Sequence, residues 1–170
     1  METERVLVTG GAGFVGSHLV DSLLEKGFKV IVLDDFSSGN MNNIWHHLAS
    51  RRFKLVKGSV LDERVVDEVV AKSNVIFHLA AQIHVDESII EPKYTFEVNA
   101  LGTLNVLEVA RKHEIELVVL VSSCEVYGTA QYVPMDEGHP LNPSSPYAAS
   151  KAAADRLAPV SYTHLTLPTN

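Results

Sequence analysis

Thr9-Gly10-Gly11-Ala12-Gly13-Phe14-Val15-Gly16 decides the fold. It follows a β-branched run, Arg5–Thr9, and opens an amphipathic segment at residues 14–26, so a glycine-rich turn joins a strand to a helix. Gly10, Gly13 and Gly16 let the chain turn tightly and bring backbone amides, those of Phe14 and Val15 included, close to a ligand. The helix then points its positive dipole end over the turn, which suits a pyrophosphate. No Lys-Ser/Thr pair closes the turn, so a P-loop phosphotransferase is disfavoured.

The same alternation continues outward. Further strands are expected at residues 29–33, 53–57, 75–79 and 117–122, each nearly continuous in Val, Ile, Leu or Phe, as in parallel strands covered on both faces. Helices are expected at residues 63–72, 93–113 and 146–158. Gly27 should close the first helix and Asp62 should cap the second. Strand–helix alternation of this kind predicts an α/β fold, a doubly wound, Rossmann-like parallel sheet with helices on both faces. Residues 132–145, with Pro134, Pro140 and Pro143, read as a long ordered loop.

Composition narrows the classes. With 170 residues, 46% apolar and 21% charged, the chain can build one ordinary core. Its net charge of −7 argues against a nucleic-acid binder, which needs a basic face. The lone Cys124 excludes an internal disulfide and a cysteine-based zinc site. His46, His47, His84, His113 and His139 show no ligand-like spacing, so no metal is expected. No apolar run approaches the ~18 residues of a membrane span, and no signal peptide opens the chain, which predicts a cytoplasmic protein without membrane contact.

Two further signals carry chemistry. Asp34, at the end of the second strand, can accept both ribose hydroxyls of an adenosine and would repel a 2′-phosphate, so NAD is favoured over NADP. Tyr147-Ala148-Ala149-Ser150-Lys151 places a phenol and an ammonium at i and i+4, on one helix face, where the cation stabilises a phenolate acting as general base.

Together with His78-Leu79-Ala80-Ala81, Asn99 with Gly102-Thr103, and Ser122-Ser123-Cys124-Glu125-Val126-Tyr127-Gly128, these motifs give a resemblance over residues 4–158. The chain resembles the extended short-chain dehydrogenase/reductases, and within them the NAD-dependent nucleotide-sugar epimerases and dehydratases. The resemblance implies Ser123, Tyr147 and Lys151 as the catalytic set. For the cofactor it implies Gly10, Gly13, Phe14, Val15, Gly16, Asp34, Ser59, Val60, Leu79, Ala80, Ala81, Asn99, Tyr147 and Lys151 as the binding set. It also implies a tightly held NAD, a nucleotide-diphosphate sugar substrate and homodimer packing through the helix at residues 93–113. Ser59 stands where the family usually has an acid for the adenine amino group, and the family's last strands and sugar-nucleotide domain lie beyond residue 170.

The reaction turns on Cys124-Glu125. The family's 4,6-dehydratases place a glutamate at the position of Glu125 to remove the C5 proton, whereas many 4-epimerases have small or neutral residues there. Glu125 lies two residues past Ser123, and side chains two apart on a strand end share a face. The reading leans to 4,6-dehydration, with 4-epimerisation as the alternative and a non-catalytic NAD-binding module or inactive fragment behind both. Residues 159–170 are expected to be foreign to the domain: Pro159 should stop the last helix, and residues 160–169 match a translated transposon-type sequencing adapter.

Overall fold

A computed structural model of the chain describes residues 4–164. Five parallel strands form one sheet: β1 (Arg5–Thr9), β2 (Lys29–Asp34), β3 (Phe53–Lys57), β4 (Val75–His78) and β5 (Leu117–Leu120), in the order β3-β2-β1-β4-β5. The helices are α1 (Phe14–Glu25), α2 (Glu63–Val70), α3 (Val85–Ile90), α4 (Pro92–Phe96), α5 (Gly102–Lys112) and α6 (Pro146–His164). The strand order runs outward from β1 in both directions, so a crevice opens above the C-terminal ends of β1 and β4, where doubly wound sheets bind ligands.

The register shows why these runs are strands. Val8 pairs with Val32 on one side and Phe77 on the other, and alternate side chains serve opposite faces. Val6 and Val8 pack with Val20, Leu24 and Ile44 beneath α1. Leu7, Ile31 and Ile76 pack with Val66, Val69, Val106 and Ala110 beneath α2 and α5. Each fully buried Val, Leu or Ile contributes ~1.5–3 kcal/mol, so both layers are needed to hold a sheet this apolar. Gly27, at φ +94°, ends α1, and its amide donates to the Leu24 carbonyl. Asp62 caps α2 by accepting from the amides of Arg64 and Val65 at 3.1 and 3.3 Å.

Four expectations need correction. The single helix expected at residues 93–113 begins one residue earlier and is interrupted: α4 passes through a π-helical turn, Glu97–Leu101, into α5. A Cβ on Gly102 would come within 2.5 Å of the Val60 side chain, so the backbone lies close to the β3–α2 loop just where the turn widens. The short α3 was unexpected, because six residues are too few to show a helical period. The fifth strand stops at Leu120 and leaves Ser122 and Ser123 beyond it. Finally, α6 does not stop at Pro159 but runs through it to His164. Proline's fixed φ suits a helix, and its cost is one missing amide bond and crowding of the Asp155 carbonyl. The alanine-rich run before it consists of the strongest helix formers, which tolerate that cost. Of the expected foreign tail, residues 165–170 lie outside the described part. Among the described residues no helix is long and apolar enough to cross a membrane.

Candidate functional site

A cleft of about 250 Å³ crosses the C-terminal edge of the sheet, from Asp34 at one end, past the glycine turn, to Tyr147 and Lys151 at the other. Gly10, Gly13, Phe14, Val15, Gly16, Ser59, Val60, Leu79, Ala80 and Ala81 also line it. Two glycines are required by close approach. A Cβ on Gly10 would meet the Ala80 amide nitrogen at 2.8 Å, and Gly10 has φ +70°. A Cβ on Gly16 would run into the Gly10 carbonyl oxygen. α1 starts at Phe14 with no side-chain cap and no acidic residue in its first turn. Its first amides therefore remain available to an anion over the turn.

Asp34 is buried, 7% exposed, and both its oxygens are engaged. One accepts from the Ala12 amide and the other from the Phe36 amide, each at 2.8 Å. Burial pushes its carboxyl above the ordinary value, against the pull of those two amides. The carboxylate thus does two jobs: it fastens the glycine turn to the end of β2, and its remaining lone pairs face the cleft. A Cβ on Gly39 would come within 2.7 Å of it, so the β2 loop must also stay slim there.

At the other end α6 carries Tyr147 and Lys151 into the same cleft. Lys151 is buried, and its Nζ donates to the Val121 carbonyl at 2.7 Å, just past β5. Burial pulls its ammonium below the ordinary lysine value, and Asp155 opposes this weakly. The start of α6 is anchored twice. The Tyr147 amide donates to Ser88 Oγ of α3 at 3.1 Å. The buried Asn99, in the π-helical turn, donates to Ser150 Oγ at 2.9 Å. Asn99 also pairs with the backbone of Gln82, accepting from its amide at 2.8 Å and donating to its carbonyl at 3.0 Å. Asn99, expected among the cofactor-binding residues, is therefore not on the cleft wall: its amide is spent joining the β4 loop to α6.

Ser123 and Glu125 stand differently from the strand-end geometry expected of them. They lie on a 3-10 turn, Cys124–Tyr127, so the rule that side chains two apart share a face does not apply. Ser123 caps that turn, its Oγ accepting from the Glu125 amide at 3.3 Å. Ser122 lines the cleft, while Ser123 and Glu125 sit just outside its wall, Glu125 exposed.

One buried chain of hydrogen bonds escaped the sequence reading. His78, at the end of β4, lies between Thr9 Oγ1 at 2.7 Å and Thr103 Oγ1 at 3.0 Å. Thr103 spends its proton on the Asn99 carbonyl at 2.6 Å, so His78 must donate from Nε2 and accept from Thr9 at Nδ1. Thr9 in turn accepts from the amides of Leu79 and Ala80, both at 3.2 Å. This fixes the β4 loop against the glycine turn. Burial, with the nearby Lys151 charge, lowers the imidazole to about 3, so it is neutral. Only the coincidence of polar residues at three separate element ends signals the network in the sequence.

The chain matches the family model for GDP-mannose 4,6 dehydratase over residues 7–168. It is 45% identical to the UDP-glucose 4-epimerase of Mycolicibacterium smegmatis over 153 residues, 89% of this chain and 49% of that protein. It is 42% identical to the dTDP-glucose 4,6-dehydratase of Streptomyces niveus, over 91% of this chain and 48% of that one. In three dimensions it resembles the Streptomyces venezuelae dTDP-glucose 4,6-dehydratase DesIV, solved with NAD and TYD bound. That likeness has a TM-score of 0.89 at 39% identity and covers 94% of this chain and 52% of DesIV. The chain spans about half the length of the curated relatives it matches. On residues 7–168, this chain belongs to the nucleotide-sugar epimerase and dehydratase family of the extended short-chain dehydrogenase/reductases.

Proposed function

We propose that this chain is the cofactor-binding half of an NAD-dependent enzyme that oxidises a nucleotide-diphosphate sugar at C4, and that its overall reaction is 4,6-dehydration. The observation that carries the reading is the single cleft joining Asp34, the bare glycine turn and the Tyr147/Lys151 pair. The fit to NAD rests on the same geometry. Gly10 and Gly16 leave room that a Cβ would fill, the first amides of α1 await a pyrophosphate, and Asp34 offers lone pairs to a ribose while excluding a 2′-phosphate. Ser59 and Val60 would flank the adenine. When bound, NAD supplies the hydride acceptor and donor for the sugar carbon.

The chain's own groups handle protons and position. Tyr147, as phenolate, takes the C4 hydroxyl proton, and the Lys151 ammonium stabilises the phenolate. Because Lys151 Nζ is tied to the Val121 carbonyl, its charge is held near the cleft and not swung into solvent. Ser123 accepts from the Glu125 amide, which leaves its own proton to donate to the C4 oxygen. Glu125 is the base for the C5 proton once C4 is a ketone; the C6 hydroxyl leaves as water with a proton from Cys124 or solvent, and the hydride removed from C4 returns to C6 as a solvent-exchanged proton is given back to C5. Cys124 stands beside it as a weak acid or a small filler.

The alternative is 4-epimerisation, favoured by the position of Glu125 outside the cleft wall. Solvent deuterium separates the two in the full-length enzyme. Dehydration puts a deuteron on C5 of a 4-keto-6-deoxy product, whereas epimerisation leaves the carbon-bound hydrogens unexchanged. Cytoplasmic location and a homodimer packed through the α4–α5 helix complete the reading, with exposed Leu101 on that helix as the support for a packing face.

A further inference from the structure

Outside the cleft lining, two adjacent histidines converge on one carboxylate of α1. His46 and His47 lie on a 3-10 turn, Trp45–His47, and their rings stand 4.0 Å apart, centroid to centroid. Both Nε2 atoms reach the same oxygen of Asp21, His47 at 2.6 Å and His46 at 3.2 Å. Adjacent residues on a strand or helix point apart; the tight turn, seated on the fully buried Ile44 and on the His47–Phe53 ring contact, brings these two together. Among the described residues this is the one trio of His, Cys, Asp or Glu whose ligand atoms all lie within 4.8 Å of one another. The trio borders a surface cavity that Glu25, one helical turn past Asp21, also lines. Arg52 also lines the cavity, its Nη1 donating to the Leu24 carbonyl at 2.9 Å.

The geometry points to a divalent transition-metal site formed by Asp21, His46 and His47, distinct from the cofactor cleft and taking zinc as its reference ion. Two imidazoles and a carboxylate are a standard donor set for zinc and its neighbours, with metal–ligand distances of ~2.0–2.2 Å. Ligands at that distance in a tetrahedral shell stand ~3.3 Å from each other. The two Nε2–Oδ1 spacings, 2.6 and 3.2 Å, need only sub-ångström adjustment, by side chains that are 46% exposed at His46 and 40% at Asp21. Each imidazole carries its proton on Nδ1 when Nε2 binds the metal, so the two hydrogen bonds to Asp21 are exchanged for three coordination bonds, one from each residue. A fourth position is left for water or Glu25. The site staples the segment at residues 40–48 to α1. That segment also donates to the Ala12 carbonyl in the glycine turn, from the Asn40 amide at 3.0 Å and from Asn43 Nδ2 at 2.8 Å.

Calorimetric titration of the tag-free chain with zinc chloride tests this directly, with circular dichroism confirming that each variant is folded. One saturable equivalent is expected, reversed by EDTA. His46→Ala and Asp21→Asn, both at partly exposed positions, should each weaken binding more than about tenfold, since even losing a supporting partner of a ligand costs that much. His113→Asn, which removes the similar His113–Asp67 pair, should leave affinity unchanged. Absence of saturable binding, undiminished affinity in His46→Ala, or an equal loss in His113→Asn would overturn the assignment.

Discussion

The two ends of the cleft are built in opposite ways. At the β1–α1–β2 end the material is mostly backbone: the turn is shaped by glycines pressed against the Ala80 backbone, and Asp34 is clasped by the amides of Ala12 and Phe36. At the β5–α6 end side chains and distant elements set the position, beside the local bonds of Ser145 and Ser150. Tyr147 and Lys151 are placed by Ser88, Asn99 and the Val121 carbonyl, which arrive from elements 59, 51 and 30 residues away in the chain. The first end is a rigid cradle whose binding groups double as scaffold. The second is a scaffold that orients a helix, holding the Tyr147 backbone and the Lys151 ammonium while, among the described residues, no hydrogen bond that fixes the turn runs through the Tyr147 phenol. Binding can therefore not be altered without touching stability, whereas chemistry can.

Tyr147→Phe is the sharpest way to expose that division. In the full-length enzyme it should cost a hundredfold or more in turnover, within the ~10²–10⁴ typical of a lost general base, while cofactor binding and melting temperature stay nearly unchanged. Steady-state kinetics beside a thermal melt check both halves of that statement. Retained activity would remove Tyr147 from the mechanism.

Asp34→Ala should break the other end differently. It leaves the buried Ala12 amide without an acceptor, at ~1–3 kcal/mol, and the part-buried Phe36 amide at less, so the protein should lose stability as well as NAD affinity. NAD should weaken more than NADP. A variant that loses affinity equally for both and melts as wild type would show that Asp34 is neither clasp nor ribose acceptor.

The join between the two ends can be titrated. His78 sits at about 3 in the folded protein and near 6.5 when unfolded, so between those values the unfolded state binds more protons. The stability it contributes is complete above pH 6.5 and is lost as pH falls towards 3, by up to about 1.4 kcal/mol per unit. Asp34 works in the opposite sense, since its raised carboxyl favours the folded state on protonation, but close to the carboxylate range. Denaturant unfolding between pH 7 and 5 should therefore show the His78 slope, and His78→Asn should flatten it. The smallest effect belongs to a part remote from both ends: Asp62→Ala should cost about 1 kcal/mol through the lost cap of α2, with no change in cofactor preference.

This contrast also explains what could be read from the sequence. The Asp62 cap and the Gly27 stop are short-range devices written in neighbouring residues, the glycine turn and Asp34 carry a recognisable spacing, and each stands where the residues indicate. Tyr147 and Lys151 are legible as a pair because one helical turn separates them. The role of Asn99 as a clamp was not legible, because its partners Gln82 and Ser150 are distant in sequence and the π-helical turn that aims it leaves no periodic mark. The turn carrying Ser123 and Glu125 was misplaced onto a strand because β5 ends earlier than its apolar run implies. The passage of α6 through Pro159 is not legible locally, because the proline signals a stop while the strength of the helix ahead of it decides the outcome.

What the cleft binds is its decisive property. Calorimetric titration of the chain with NAD and with NADP measures this without any turnover. Saturable NAD binding at least about tenfold tighter than NADP, a difference of ~1.4 kcal/mol, is the predicted result. Failure to bind NAD, or equal or tighter binding of NADP, would contradict the assignment of the glycine turn and Asp34.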